Sequence, residues 1–229
     1  MKVLDFGSLN VDYVYSVPHM IRGGETLLSR KLEVFAGGKG LNQAIALAKA
    51  GVEVYMAGQI GDDGGILLDE CQKYGVRTDF IRTLPGKGGH TIIQVDDEGQ
   101  NSIILCGGTN RQQSREHMDA VLAHFGEGDF LVLQNEINLL DYLIDRAYER
   151  GMRIVLNPSP FDENLATCDL HKVWLFMLNE IEGEQITGEQ DPEVIIQRLQ
   201  ELFPVDHALH ILRSALILFH RQKNGPVHG

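Results

Sequence analysis

The chain has 229 residues, of which 43% are hydrophobic and 23% are charged, and its formal net charge is −12 at pH 7. This is the composition of a globular protein with a sizeable core. The acidic balance argues against a nucleic-acid or anionic-membrane partner, because it leaves no basic stripe to contact phosphates. Asp5 comes too early for the apolar region of a signal peptide, so the sequence predicts a soluble, cytoplasmic protein.

Short apolar runs alternate with helix-period segments along the chain. Strands are predicted at 3–6, 52–57, 130–133, 154–156 and 173–178, and helices near 42–50, 65–74, 114–124, 139–149 and 192–203. Asp191 is predicted to cap the last helix, with Pro192 at its first helical position. This alternation is typical of a parallel sheet covered on both faces. The predicted fold class is therefore α/β, with a doubly wound, mostly parallel sheet flanked by helices.

Two stretches interrupt this alternation. Residues 13–35 contain β-forming pieces around Pro18, and residues 91–106 are predicted to form a hairpin through an acidic turn that ends at Gly99. Together they predict a small β-layer outside the main sheet, within one domain that spans 1–229. Such a layer could cover a ligand, or it could be a dimerisation surface, and the sequence leaves both open.

A glycine-rich segment before the first predicted helix is the most informative motif. Its glycines allow the backbone to approach a ligand closely, and the helix that follows presents Lys39 and Asn42 near its N-terminus. Polyhydroxyl or anionic ligands bind at such places. The segment is neither a Walker A loop nor a dinucleotide-binding motif, because Gly40 follows Lys39 and no glycine stands at position 43. A glycine turn before a core helix is the structural alternative.

Polar residues follow the predicted strands, where open α/β sheets bind their ligands. These residues are Asn10, Asp12, Glu136, Asn157, Asn179 and Glu182. Each of them alone is explained by a helix cap or an Asx turn. Together they favour a binding site.

The three cysteines, Cys71, Cys106 and Cys168, are far apart and outside any Cys/His cluster. They are predicted to be small core residues in a reducing compartment rather than metal ligands. His207 and His210 are likewise not predicted to bind metal, because their segment has the pattern of a strand and no third ligand is signalled. A hairpin tip is predicted at 221–225.

The glycine-rich segment and the polar residues after the predicted strands resemble those of the ribokinase-like, or phosphofructokinase-B type, sugar kinases, and within them those of the ribokinase branch. The resemblance runs from Val3 to about Pro204. It is carried by Gly7-Ser8-Leu9-Asn10-Val11-Asp12, Gly24-Glu25-Thr26, Gly37-Gly38-Lys39-Gly40-Leu41-Asn42-Gln43-Ala44, Gly61-Asp62-Asp63, Leu156-Asn157-Pro158 and Asn179-Glu180-Ile181-Glu182.

The resemblance implies the roles of individual residues. The sugar would be held by Asn10, Asp12, Gly38, Lys39, Asn42 and Glu136, with Asp12 accepting from neighbouring hydroxyl groups. Asn179 would contact the phosphates of ATP, and Glu182 would organise Mg²⁺. The implied reaction is ATP-dependent phosphorylation of a pentose, ribose at its 5-hydroxyl, in a homodimer that associates through the β-layer. Complete family members would also use a monovalent cation.

The same resemblance implies that the catalytic Asp, in a Gly-Ala-Gly-Asp segment that opens a helix, lies beyond Gly229. We therefore expect a C-terminally truncated, incomplete domain that does not transfer phosphate. The nearest match, residues 126–129, leads into a strand and is predicted to be a connecting turn. The alternatives are a non-catalytic sugar-binding remnant and a kinase of another sugar or nucleoside. A nucleotide-binding oxidoreductase is disfavoured, because only Gly7 of the required glycines follows the first strand.

Overall fold

The computed structural model describes residues 1–160, 162, 164–202, 207–212 and 216–221. The chain divides into two compact units. The N-terminal unit comprises residues 4–113 and 136–138, and the C-terminal unit comprises residues 1–3 and 114–135 together with the described residues from 139 onward. The fold is α/β, as predicted, with a mostly parallel sheet flanked by helices and a second, small mixed sheet.

The N-terminal unit contains strands of both sheets and two helices. Its elements are β1 (Val3–Phe6), β2 (Asn10–Ser16), β3 (Lys31–Gly37), α1 (Lys39–Lys49), β4 (Val54–Ile60), α2 (Gly65–Tyr74), β5 (Arg77–Thr83), β6 (Gly89–Val95) and β7 (Asn101–Cys106). In the main sheet, β1, β4 and β5 follow one another in that order, and β4 and β5 are parallel. The sequence did not predict β5, whose mostly polar residues lack the apolar run of a buried strand.

The second sheet has the strand order β3-β2-β6-β7. The pair β2 and β6 is parallel, whereas β3 with β2 and β6 with β7 are antiparallel. It is built from the two stretches that were predicted to lie outside the main sheet, and the predicted hairpin of 91–106 is the pair β6 and β7. The prediction placed Asn10 and Asp12 after the first strand, and the structure places them within β2.

The C-terminal unit alternates helices with strands of the main sheet. Its elements are α3 (Arg115–Leu122), β8 (Phe130–Gln134), α4 (Leu140–Glu149), β9 (Arg153–Asn157), β10 (Leu175–Leu178), α5 (Glu180–Thr187), α6 (Pro192–Leu202), β11 (His207–Leu212) and β12 (Leu216–Arg221). Strands β8, β9 and β10 are parallel, and β12 and β11 continue the sheet in antiparallel pairs. Residues 126–129 form the predicted connecting turn, since the backbone N–H of Asp129 donates to Gly126.

The helix boundaries follow local capping chemistry. Asp191 accepts hydrogen bonds from the backbone of Glu193 and Val194, as predicted for the start of α6. Helix α5 was not predicted, although Asn179 caps it. Of the predicted hairpin tip at 221–225, residues 222–225 lie outside the described residues.

The core of each unit is made of apolar residues from the main-sheet strands and the helices that pack on them. Leu4, Phe6, Met56 and Leu67 are buried in the N-terminal unit, and Leu131, Leu133, Ile154 and Leu156 in the C-terminal unit. Among the residues that the structure describes, no helix is both long enough and apolar enough to cross a membrane.

The cysteines match the core prediction only in part. Cys71 is buried and Cys168 is half-buried, and burial raises the pKa of each thiol to about 11. Cys106, in contrast, is exposed on β7, because every residue of that strand faces solvent. All three thiols are free.

Candidate functional site

A buried carboxylate, that of Glu136, joins two segments of the N-terminal unit. Glu136 follows β8, and its side chain is only 7% exposed. The ammonium of Lys39 lies 2.9 Å from Glu136 Oε1, and the Ser8 hydroxyl donates to Oε2. Burying a carboxylate is costly unless it has such partners. Lys39 remains 38% exposed, so the ion pair faces an accessible surface.

The start of α1 is built around the same group. Gly38 is the N-cap at φ +97°, a conformation that disfavours other residues, and a Cβ there would lie 2.7 Å from the Ser8 carbonyl oxygen. The backbone N–H groups of Gly40 and Leu41 donate to Ser8, and that of Lys39 donates to Glu136 Oε2 at 3.4 Å. These three N–H groups are therefore already hydrogen bonded within the protein. A ligand at the start of α1 would therefore contact side chains rather than these N–H groups.

A second carboxylate, that of Asp12, is held in the second sheet. The Thr91 hydroxyl donates to Asp12 Oδ1 at 2.6 Å, between residues that stand opposite each other in β2 and β6. On the other side, a Cβ on Gly37 would lie 2.7 Å from Asp12 Cγ and overlap the carboxylate. The glycine is thus required for this position of Asp12.

The electrostatic environment links Asp12 to Glu136. Burial raises the pKa of Asp12, the Thr91 hydroxyl opposes that rise, and the negative charge of Glu136 adds to it. Each of these two carboxylates can accept hydrogen bonds from hydroxyl groups. Lys39 neutralises part of that charge.

Asn10 is buried beside the backbone of Gly38 and is held by a residue that the sequence analysis missed. Asn110 Nδ2 donates to Asn10 Oδ1 at 2.7 Å and to the Leu9 carbonyl at 3.2 Å, and Asn110 Oδ1 accepts from the Leu9 N–H. Only glycine fits at position 89, where a Cβ would lie 3.0 Å from Asn110 Cγ. Asn110 therefore fixes the strand segment that carries Asn10.

The turn of residues 136–138 is anchored to the segment after β7 by one side chain of its own and one side chain of that segment. Asn138 Oδ1 accepts from the Gln113 N–H, and Asn138 Nδ2 donates to the Gln113 carbonyl, both at 2.9 Å. Arg111 Nη1 donates to the Ile137 carbonyl at 3.3 Å. These three contacts hold the backbone beside Glu136 in place.

The predicted residues outside this cluster have other surroundings. Asn42 lies in the first turn of α1, and its side chain is exposed. In the C-terminal unit, Asn157 Oδ1 accepts from the Ser159 N–H, which is an Asx-type turn. Asn179 and Glu182 form a capping box, in which each side chain accepts from the other's backbone N–H at 2.9 Å.

The structure thus brings Asn10, Asp12, Gly38, Lys39 and Glu136 together in one unit, and it pairs Asn179 with Glu182 in the other. Ser8, Thr91 and Asn110 are the supporting residues that sequence reasoning did not single out. A signal existed for Asn110, because it follows two glycines directly after a predicted strand. Thr91 carried no such signal.

The family model that matches this chain is described as "pfkB family carbohydrate kinase", and it covers residues 2–209. Among curated proteins, the ribokinase of Haemophilus influenzae is 34% identical over 191 residues, which are 80% of this chain and 61% of that protein. The deoxyribokinase of Salmonella typhi is 31% identical over 193 residues, 82% of this chain and 63% of that protein. The chain therefore spans about three fifths of the length of these relatives.

A similar solved structure is that of Arabidopsis thaliana ribokinase complexed with ribose and ATP. It superposes with a TM-score of 0.78 at 25% sequence identity, over 91% of this chain and 70% of the plant chain. The family model, the curated relatives and the solved structure are all carbohydrate kinases. The chain belongs to the pfkB family of carbohydrate kinases.

Proposed function

We propose that this chain carries the sugar-binding part of a ribokinase, an enzyme that transfers phosphate from ATP to the 5-hydroxyl of D-ribose. The observation that carries the proposal is the cluster of Asp12, Lys39 and Glu136, two carboxylates and an ammonium around a glycine-lined helix start. The ribokinase names among the relatives support the choice of sugar.

The chemistry of the cluster suits a small polyhydroxyl ligand. Asp12 and Glu136 accept hydrogen bonds from hydroxyl groups, whereas Lys39 and the amide of Asn42 donate to sugar oxygens. Charge-assisted hydrogen bonds are the strong ones, and a fixed pair of carboxylates adds geometric selectivity. Asn10 is proposed to complete the site with Gly38, whose bare α-carbon allows the close approach of the Ser8 carbonyl.

Asn179 is proposed to contact the phosphates of ATP, and Glu182 to act on Mg²⁺ through water. One oxygen of Glu182 already accepts from the Asn179 N–H. Among the residues that the structure describes, no cluster of three or more His, Cys, Asp or Glu could hold a metal ion. A single carboxylate fits Mg²⁺, which proteins usually hold by one or two carboxylates, water and substrate phosphates. Bound Mg²⁺ would neutralise phosphate charge.

A second candidate substrate is 2-deoxy-D-ribose, because two of the relatives are named deoxyribokinases. A thermal-shift panel of D-ribose, 2-deoxy-D-ribose, D-fructose and adenosine separates the candidates, since ligands that bind only the folded chain raise its unfolding midpoint. We expect D-ribose to give the largest shift. If another compound raises the unfolding midpoint more, that compound replaces ribose as the proposed substrate.

Phosphoryl transfer by a polypeptide of these 229 residues is a separate proposal. Their sequence contains no Gly-Ala-Gly-Asp segment, and residues 126–129 form a turn before β8. We therefore expect this polypeptide to bind ribose without turnover in a coupled ADP-release assay with Mg²⁺ and ATP. Turnover of about 1 s⁻¹ or more, within the ordinary range of enzymes, would contradict that expectation.

A homodimer is proposed to form through the second sheet. Val34, Ile92 and Ile104 stand on one rung of it with Tyr13, and their exposed fractions are 43%, 40% and 61%. An exposed apolar sheet face of this kind is typical of an interaction surface. A second copy of the chain would cover it.

Sedimentation equilibrium tests the dimer. Ile104→Lys places a charge on the proposed interface and should produce a monomer. Leu28→Lys is the matched control, because Leu28 is 90% exposed but lies outside the sheet strands. If the wild-type chain is a monomer, or if Ile104→Lys remains a dimer, this interface is wrong.

The proposed enzyme would work in the cytoplasm, where ATP is available. The three free thiols support a reducing compartment.

A further inference from the structure

The Asp12 side chain has a single polar neighbour on its own rung of the second sheet. The residues paired along that rung are Phe35, Asp12, Thr91 and Leu105, from β3, β2, β6 and β7 respectively. Phe35 and Leu105 cannot hydrogen bond through their side chains. The Thr91 hydroxyl is therefore the group on this rung that can orient the carboxylate.

The contact is close, and the hydroxyl is shielded from water. Thr91 Oγ1 lies 2.6 Å from Asp12 Oδ1, and Thr91 is only 7% exposed. A threonine in a strand is common for reasons of β-propensity alone. A buried hydroxyl that donates its only proton to a carboxylate goes beyond that explanation, because the hydrogen bond is charge-assisted.

The other oxygen of Asp12 is confined by Gly37. A Cβ at Gly37 would overlap the carboxylate, so Oδ2 lies against a bare α-carbon. Thr91 thus fixes Oδ1 while Gly37 confines Oδ2, and the plane of the carboxylate is set before a ligand arrives. Such preorganisation favours ligands that use both oxygens at once.

From this geometry we infer that Thr91 is a positioning residue, which holds the Asp12 carboxylate in the orientation that binds two neighbouring hydroxyl groups of a pentose. The inference rests on the proposed function, because it assumes that Asp12 binds sugar. It follows that Thr91 sets the preference for D-ribose over 2-deoxy-D-ribose. A sugar with one hydroxyl at this place needs only one oxygen and tolerates rotation of the carboxylate.

Titration calorimetry of the chain with D-ribose and with 2-deoxy-D-ribose tests the inference. Thr91→Val removes the hydroxyl at nearly constant volume, and Thr91→Ser retains it. We expect Thr91→Val to weaken D-ribose binding about tenfold and 2-deoxy-D-ribose binding less than about threefold. A tenfold loss is the effect expected from losing one charge-assisted hydrogen bond. Thr91→Ser should keep the wild-type ratio of affinities.

A role of Thr91 in packing alone would weaken both sugars equally in Thr91→Val. An unchanged or increased preference for D-ribose in that variant would overturn the inference. Thr91→Ala provides a second variant without the hydroxyl if Thr91→Val does not fold. If the wild-type chain binds neither sugar, the proposed function fails and the inference falls with it. If the wild type binds D-ribose through Asp12 but Thr91→Val leaves the ratio of the two sugar affinities unchanged, the inference about Thr91 fails and the proposed function stands.

Discussion

Lys39 and Glu136 are 97 residues apart in the sequence, and their side chains form an ion pair of 2.9 Å in the N-terminal unit. The pair is unequal, because Glu136 is 7% exposed and Lys39 is 38% exposed. Loss of the lysine would leave a carboxylate in a poorly hydrated place, whereas loss of the glutamate would leave an ammonium that reaches water. The two single substitutions should therefore differ.

We predict that Lys39→Met destabilises the chain more than Glu136→Gln does. The expected cost of Lys39→Met is about 1–3 kcal/mol, the range for a buried polar group that loses its partner. The double variant should be more stable than Lys39→Met alone, since no buried charge remains. Urea unfolding of the wild type, the two single variants and the double variant measures the four free energies of unfolding. A Lys39→Met variant as stable as wild type would show that water, not Lys39, stabilises Glu136.

Asp12 is predicted to lower the stability of the chain at neutral pH. Since burial raises the pKa of Asp12, the folded chain binds this proton more tightly than the unfolded chain, so stability falls as pH rises through the interval between the two pKa values. Asp12→Asn should accordingly raise the thermal midpoint at pH 7. The gain should shrink as the pH approaches about 4, the ordinary range of a carboxyl group.

Asp63 provides the control of opposite sign. Burial would raise its pKa, but backbone hydrogen bonds from Gly88 and from Asp63 itself, together with the charge of Lys87, leave the pKa of Asp63 lowered. Its contribution to stability is present above the unfolded-state pKa and is lost as the pH falls through the folded-state pKa. Asp63→Asn should lower the midpoint at pH 7. Equal shifts of the same sign in both variants would contradict the assignment.

Gly37→Ala is predicted to impair sugar binding without changing a polar group. The new Cβ would overlap the Asp12 carboxylate and displace it from Thr91. We expect a loss of D-ribose affinity comparable to that of removing the carboxylate, about tenfold or more. Gly65→Ala is the matched control, because a Cβ there meets no atom within 4 Å. Unchanged ribose affinity in Gly37→Ala would mean that the position of Asp12 is not critical.

The capping box of α5 allows the structural and ligand roles of Asn179 to be separated. Asn179→Ala should lower stability by about 1 kcal/mol, the typical effect of losing an N-cap, while Asn179→Ser should keep the cap. Thermal unfolding measures both variants. If Asn179 also contacts ATP phosphates, Asn179→Ser should weaken the binding of a fluorescent ATP analogue at wild-type stability. If Asn179→Ser binds the analogue with wild-type affinity, Asn179 acts only as a helix cap.

Most of the fold could be predicted from the sequence, because the buried strands are short apolar runs and the helices have a clear period. Strand β5 escaped prediction since its residues are mostly polar, and α5 since Asn179 and Glu182 were interpreted as ligands although their spacing is also that of a capping box. The earlier start of α1, at Lys39, depends on Ser8 and Glu136, which are distant in sequence.

The candidate site was predictable in its residue types but not in its contacts. Asp12 and Glu136 were recognised as polar residues near strand ends. The bond from Thr91 to Asp12 depends on the register of β2 against β6, which are 79 residues apart at this point. Nothing in a local pattern specifies such a register. The same holds for Asn110, which contacts Asn10 across 100 residues.

A calorimetric titration of the chain with D-ribose, in the wild type and in Asp12→Ala, shows directly whether this cluster binds the sugar. We expect saturable binding of one ribose per chain, and an affinity at least about tenfold lower in Asp12→Ala, because a charged acceptor for hydroxyl groups is lost. The fold of the variant is checked by its thermal unfolding. No detectable binding to the wild type, or the same affinity in a folded Asp12→Ala variant, would show that Asp12 is not part of a ribose site.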